Sequence, residues 1–146
     1  MRSLASLGVR GAVSDRPAET QQTEEGRRRI VVCDDEARLA SLTAQLLESH
    51  GFEAVATTNL AGARKALSDA STHAVVLDVH LAGESPSQLL EFIAQRHQSV
   101  RVLVTSGLGE DDVPDEIRRH PSVIGYVAKP YSVEVMARRL GEALKS

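Results

Sequence analysis

The sequence has no tryptophan and a single cysteine, Cys33. One cysteine excludes an internal disulfide and suits a reducing compartment. Apolar runs are all short, so a transmembrane helix is excluded. The N-terminal "MRSLASLGVRGAVSDRP" lacks the continuous apolar segment of a secretory signal. A cytoplasmic protein without a membrane partner is the expectation. Neither cysteine nor histidine recurs at a spacing that suggests zinc. "GLGED" (107–111) matches a dinucleotide fingerprint only in part; it lacks the third glycine, follows the wrong apolar run and reads as loop.

What is present is enough for one domain: 146 residues, 42 % of them hydrophobic. The net charge of -3 is unevenly spread. Residues 1–29 hold six arginines and four acids, a net of +2, and the remainder carries a net of -5. An acidic body argues against a nucleic-acid-binding surface and is compatible with cation binding. Residues 1–28, rich in Gly, Gln, Glu, Thr and Arg without periodicity, read as a disordered extension. The domain itself is expected over 29–146.

From Arg29 on, apolar runs alternate with amphipathic stretches. "RIVVC", "FEAVATT", "HAVVLD", "SVRVLVTS" and "VIGYVAK" read as strands. Between them lie helical patterns. "EARLASLTAQLLESHG" has Leu39, Leu42 and Leu46 at helical spacing and stops at Gly51. "NLAGARKALSDA" opens on Asn59 as N-cap, and "SPSQLLEFIAQRH" has Pro86 in its first turn. "EDDVPDEIRRH" reads as a short, weakly apolar helix. "SVEVMARRLGEALK" lines up Val133, Met136, Leu140 and Leu144. Five such βα units predict a doubly wound five-stranded parallel sheet between two helical layers.

Ligands bind such sheets beyond the carboxyl ends of the strands. Asp34, Asp35 and Glu36 follow the first strand, and Asp78 ends the third. Thr105 and Ser106 end the fourth, and Lys129 precedes Pro130 after the fifth. Crowded carboxylates repel one another, and a hard divalent cation relieves that. An ammonium and a hydroxyl suit a phosphoryl group, and an aspartate is able to accept one as an acyl phosphate.

"VVCDDE … VVLDVHLAG … VLVTSG … GYVAKP" resembles the receiver domain of two-component response regulators across nearly all of 29–146. The resemblance implies a flavodoxin-like fold with strand order 2-1-3-4-5 and Asp78 as phosphoacceptor. It implies a Mg²⁺ (or Mn²⁺) ion on Asp78, on Asp35 directly, on Asp34 largely through water, and on the backbone carbonyl of His80. Thr105 would be the switch hydroxyl, Lys129 the phosphoryl-binding lysine before an often-cis proline, and Tyr126 the aromatic that turns inward on activation. The implied partners are a sensor histidine kinase or histidine phosphotransfer protein and a downstream protein effector. The surface that changes would be the fourth helix, fifth strand and fifth helix, where Arg118, Arg119, Arg138 and Arg139 lie.

The resemblance implies a switch that phosphorylates and dephosphorylates itself, not a turnover enzyme, acting as a monomer or a phosphorylation-dependent dimer. Because the chain closes on its fifth helix, output through a partner, a dimer or a relay is expected. Many receivers carry Met-Pro shortly after the phosphoacceptor; here Leu81-Ala82 stands there, which leaves that loop's shape open. His80 either faces solvent idly or tunes hydrolysis of the acyl phosphate. A receiver-like module that binds partners without phosphorylation is the alternative. An aspartate phosphatase would want a second Asp where His80 stands, and a flavin or nucleotide binder would meet three repelling acids.

Overall fold

The computed structural model describes residues 26–145, so the disordered extension expected over 1–28 lies almost wholly outside the described residues. The elements are β1 (Arg29–Cys33), α1 (Ala37–Ser49), β2 (Glu53–Thr57), α2 (Leu60–Asp69), β3 (Ala74–Asp78) and α3 (Pro86–Arg96). Then come β4 (Arg101–Ser106), a 3-10 turn (Gly109–Asp112), α4 (Asp115–Arg118), β5 (Val123–Ala128) and α5 (Val133–Ala143). All five strands are parallel, in the order β2-β1-β3-β4-β5. This is the doubly wound parallel sheet that the alternation predicted, in the flavodoxin-like order that the resemblance implied.

The strands are apolar along their middles, where helices cover both faces of the sheet. Val31, Cys33, Val75, Leu77, Val102 and Val104 face a layer containing Leu60, Leu67, Leu89, Ile93 and Ile117 from α2, α3 and α4. Ile30, Val32, Ala74, Val76 and Leu103 face Ala40, Ala44, Leu47, Met136 and Leu140 from α1 and α5. Successive strand side chains therefore feed two cores, one above and one below. The central strands β1 and β3 are wholly buried, whereas β2 and β5 at the edges are half-buried.

Local signals behave as their chemistry requires. The Asn59 side chain accepts from the Gly62 N–H at 2.7 Å and caps α2. Pro86 opens α3, where its missing N–H costs nothing. Gly51, at φ 95°, takes the left-handed turn after α1. Two details depart from the sequence pattern. The helix expected over "EDDVPDEIRRH" is split: Pro114 has no N–H to continue the 3-10 turn, and α4 is a single turn beyond it. The leucine stripe of α1 faces outward. Ala40, Thr43, Ala44 and Leu47 are buried, while Leu42 is 51 % and Leu46 38 % exposed. Small side chains on the inner face let the helix lie close to the sheet, which turns the leucines away.

Candidate functional site

At the carboxyl edge of the sheet, β1, β3, β4 and β5 each release the chain at a polar residue. Asp34 follows β1, is 2 % exposed, and accepts from the Glu36 N–H through Oδ1 at 2.9 Å. Asp35 is exposed, and its Oδ2 accepts from the Ala82 N–H at 2.9 Å. Asp78, the last residue of β3, is also buried. Its Oδ1 accepts from the His80 N–H at 3.1 Å, and its Oδ2 from Lys129 Nζ at 3.0 Å. The same ammonium lies 2.9 Å from Asp34 Oδ2. The Lys129–Pro130 peptide is cis.

Burial pushes the Asp78 carboxyl above its ordinary value, outweighing the His80 N–H and the lysine that favour its charged form. Burial also opposes the charge on Lys129. Its contacts with Asp34 and Asp78 outweigh that and raise the ammonium to about 12. Lys129 is thus a fixed cation wedged between two buried carboxylates.

Oxygens of Asp34, Asp35 and Asp78 all lie within 4.8 Å of one another. Asp34 Oδ2 is shut from solvent and makes no aligned hydrogen bond; the lysine approaches at bonding distance but not in bonding direction. Two buried carboxylates share that single ammonium, so the cluster keeps negative charge that a further cation would balance. Three hard oxygen donors, one of them open to solvent, fit a small divalent cation that keeps part of its water shell.

Thr105 pairs with Asp78 across the β3–β4 ladder and is 1 % exposed. Beyond it, Ser106 Oγ donates to Asp112 Oδ2 at 2.8 Å, and that oxygen lies 2.6 Å from His80 Nε2. The bonds with Ser106 and His80 hold the Asp112 carboxyl below its ordinary range. His80 is therefore solvent-facing yet tied to the loop after β4. Tyr126 is not brought to the carboxylates. Its hydroxyl donates to the Arg118 carbonyl at 2.9 Å, and its own carbonyl accepts from Arg139 Nη1 at 2.7 Å. Cys33 is fully buried, with its thiol pushed up to about 11 by that burial, a packing residue and not a nucleophile.

The loop without Met-Pro has a definite shape. Glu84 N–H donates to the Leu81 carbonyl at 3.0 Å around Gly83, at φ 72°. Glu84 Oε1 then accepts from the Leu60 N–H at 2.9 Å, at the start of α2. Sequence reasoning missed Asp112, Glu84 and the Ala82 amide, since each acts on a residue distant in the chain and follows no periodicity. Beside Lys129 a depression of about 320 Å³ opens between Glu36, Leu39, Pro130 and Tyr131.

Comparison with known proteins places these observations. Residues 30–141 match the family described as the response regulator receiver domain. A putative NtrX-like response regulator of Rickettsia conorii is 30 % identical over 105 residues, 70 % of this chain and 22 % of that protein. The sensory transduction protein RegX3 of Mycobacterium tuberculosis is 27 % identical over 116 residues, 80 % of this chain and 50 % of that one. The chain thus spans between 22 % and 50 % of the length of these relatives. Among solved structures, a sensor protein from Polaromonas superposes with a TM-score of 0.73 at 20 % identity, covering 81 % of this chain and 96 % of that one. The response regulator TrrA of Thermotoga maritima, in complex with Mg²⁺ and BeF, superposes with a TM-score of 0.65 at 21 % identity, covering 80 % and 99 %.

Proposed function

This chain belongs to the response regulator receiver domain family, and on that premise we propose that it is a phospho-accepting switch whose acceptor is Asp78. One observation carries the reading: Lys129 Nζ lies 3.0 Å from Asp78 and 2.9 Å from Asp34, beside three carboxylates converging within 4.8 Å.

A carboxylate oxygen of Asp78 attacks the phosphorus of a phosphohistidine on a sensor kinase or phosphotransfer protein. The new P–O bond forms as the donor's P–N bond breaks, leaving an acyl phosphate on Asp78. A divalent ion, Mg²⁺ or Mn²⁺, would be held by Asp34, Asp35, Asp78 and the His80 carbonyl, and would neutralise phosphoryl charge there. Lys129 is already positioned to pair with the transferred oxygens. Thr105, directly across the ladder from Asp78, supplies the hydroxyl that follows them. Ser106 is next in the chain, so movement of Thr105 would pull on the Ser106–Asp112–His80 tie and pass the change to the loop before α4. Tyr126 and Arg118, joined by a hydrogen bond, sit on the α4–β5–α5 surface that a downstream protein effector would read. Residues 29–146 form the receiver unit, preceded by an extension over 1–28, and the domain removes its own phosphoryl group by hydrolysis.

The test is intact mass after incubation with a small phosphodonor and Mg²⁺. The wild type is expected to gain one phosphoryl group, and neither Asp78→Asn nor a metal-free sample to do so. No gain, together with failure to bind beryllofluoride, would transfer the reading to a module that docks partners without phosphorylation.

A further inference from the structure

The opposite edge of the sheet, where the strands begin, carries three depressions that run into one another. The largest, about 630 Å³, lies between the starts of β3 and β4 and has Thr72, His73, Arg96 and Ser99 on its walls. The next, about 220 Å³, shares Thr72, His73 and Ser99 and adds Arg28, Arg101 and Lys145. A third, about 240 Å³, joins the first at Gln98 and the second at Arg101. Among the described residues, none of the three is lined by a carboxylate. In a chain with 20 acids against 17 bases, that is a marked segregation of charge.

Helix ends explain part of it. Arg96 lies in the last turn of α3 and Lys145 just past α5, where cations offset the partial charge of free carbonyls. Arg28 and Arg101 have no such reason, since they stand at the starts of β1 and β4. Among the described residues, none of these four cations is paired with an acid. Four cations set against one nearby described carboxylate, Glu53, which Arg29 already engages, leave a positive excess that a seated anion relieves.

The neutral groups match an anion as well. His73 Nδ1 accepts from the Arg29 N–H at 3.0 Å, so in the neutral ring Nε2 carries the proton and is a donor. Burial, then the nearby Arg28, hold that imidazole below its ordinary value against the opposing pull of Glu53, and so favour the neutral ring. Ser99 adds an exposed hydroxyl. Guanidinium forks with hydroxyl and imidazole donors suit tetrahedral phosphate oxygens. The main depression falls in the range of about 300–1,000 Å³ usual for small-molecule sites.

We propose that this amino edge of the sheet binds a small phosphate-bearing anion, of nucleotide or short polyphosphate size, through Arg28, Arg96, Arg101 and Lys145. The site is independent of the carboxylates at the other edge. The test is a titration of the whole chain with sodium tripolyphosphate, without divalent metal and at low salt, followed by amide NMR. Saturating shifts are expected at Thr72, His73, Ser99 and Arg101. The double variant Arg96→Gln, Arg101→Gln should bind roughly tenfold more weakly or worse, given the usual strength of charged hydrogen bonds. Its other resonances, unchanged, would show it folded. Shifts confined to the surroundings of Asp34, Thr105 and Lys129, or an unaltered affinity in the folded double variant, would overturn the proposal. A short polyglutamate peptide is run alongside. Saturation by the peptide and not by tripolyphosphate would replace the phosphate ligand with an acidic protein segment.

Discussion

Two charged side chains are buried at opposite edges of the same sheet, and they are treated in opposite ways. Arg29, at the amino edge, is held by several acceptors around one nitrogen and by a carboxylate. Its Nη1 donates to the carbonyls of Ala66 and Ala70, at 2.9 and 3.2 Å, and to Thr72 Oγ1 at 2.6 Å. Nε is buried and makes no hydrogen bond, but lies 3.5 Å from Glu53 Oε2, close enough for an ion pair. Arg29 thereby fastens the end of α2 to the start of β1. Asp78, at the carboxyl edge, has its charged form opposed by burial and shares one lysine with a second buried carboxylate. The first arrangement lowers the free energy of the fold. The second keeps a carboxylate charged against the pull of burial, at a cost to stability. A buried charge held by neutral acceptors and a carboxylate of its own reads as structure, and two buried carboxylates that share one cation read as a site.

The comparison is sharpest in what removal of each group does. At the carboxyl edge, Lys129→Met takes away the ammonium that, in the proposed switch, would meet the phosphoryl oxygens. The rate of labelling by a small phosphodonor, followed by intact mass, should fall by about 10²-fold or more, as for loss of one preorganised donor. A rate within threefold of wild type would mean that Lys129 only balances Asp34 and Asp78. At the amino edge, Arg29→Met strands the end of α2 and should cost roughly 2 to 4 kcal/mol in urea unfolding. Its fully labelled mass should be unchanged, because nothing of the acceptor site is touched. Loss of labelling in a folded Arg29→Met chain would break the division between the edges.

The smallest effect runs the other way. Folding raises the Asp78 carboxyl, so the native state holds its proton more tightly than the unfolded chain does. Stability from that proton is complete below the ordinary carboxylate range and is lost as pH rises through the folded value. At pH 7 the ionised group is therefore a burden. Asp78→Asn should raise stability there by roughly 1 kcal/mol, a few degrees in melting temperature. The gain should shrink as pH falls into the acid range, as the wild-type carboxyl takes up its proton. A destabilised Asp78→Asn chain at pH 7 would show that the Lys129 contact outweighs burial. Lys129, raised to about 12, keeps its charge throughout the working range and adds no slope.

Much of this was legible before any coordinates. The strands announce themselves as β-branched runs, the helices by spacing and by Asn59, Pro86 and Gly51, and the site by acids, hydroxyl and lysine placed just after strands. These are local signals, each confined to a few neighbouring residues. The outward leucines of α1 were not legible, because Leu39, Leu42 and Leu46 make as good a stripe as Ala40, Ala44 and Leu47. Which stripe turns inward depends on how closely the helix approaches the sheet. The split of "EDDVPDEIRRH" was signalled by Pro114, but its acids and periodicity pointed to continuous helix.

By itself, then, the sequence determined the order of elements, the covering of both sheet faces and the residues delivered to the carboxyl edge. The fold decided the rest: that Lys129 reaches both Asp34 and Asp78, that Asp112 ties His80 to Ser106, and that Arg29 is buried while Arg28 beside it lines a basic groove. Those outcomes depend on contacts across tens of residues, with lengths of about 3 Å. A strand's own composition sets which face its side chains take, but only the neighbouring strands and helices set what those side chains meet.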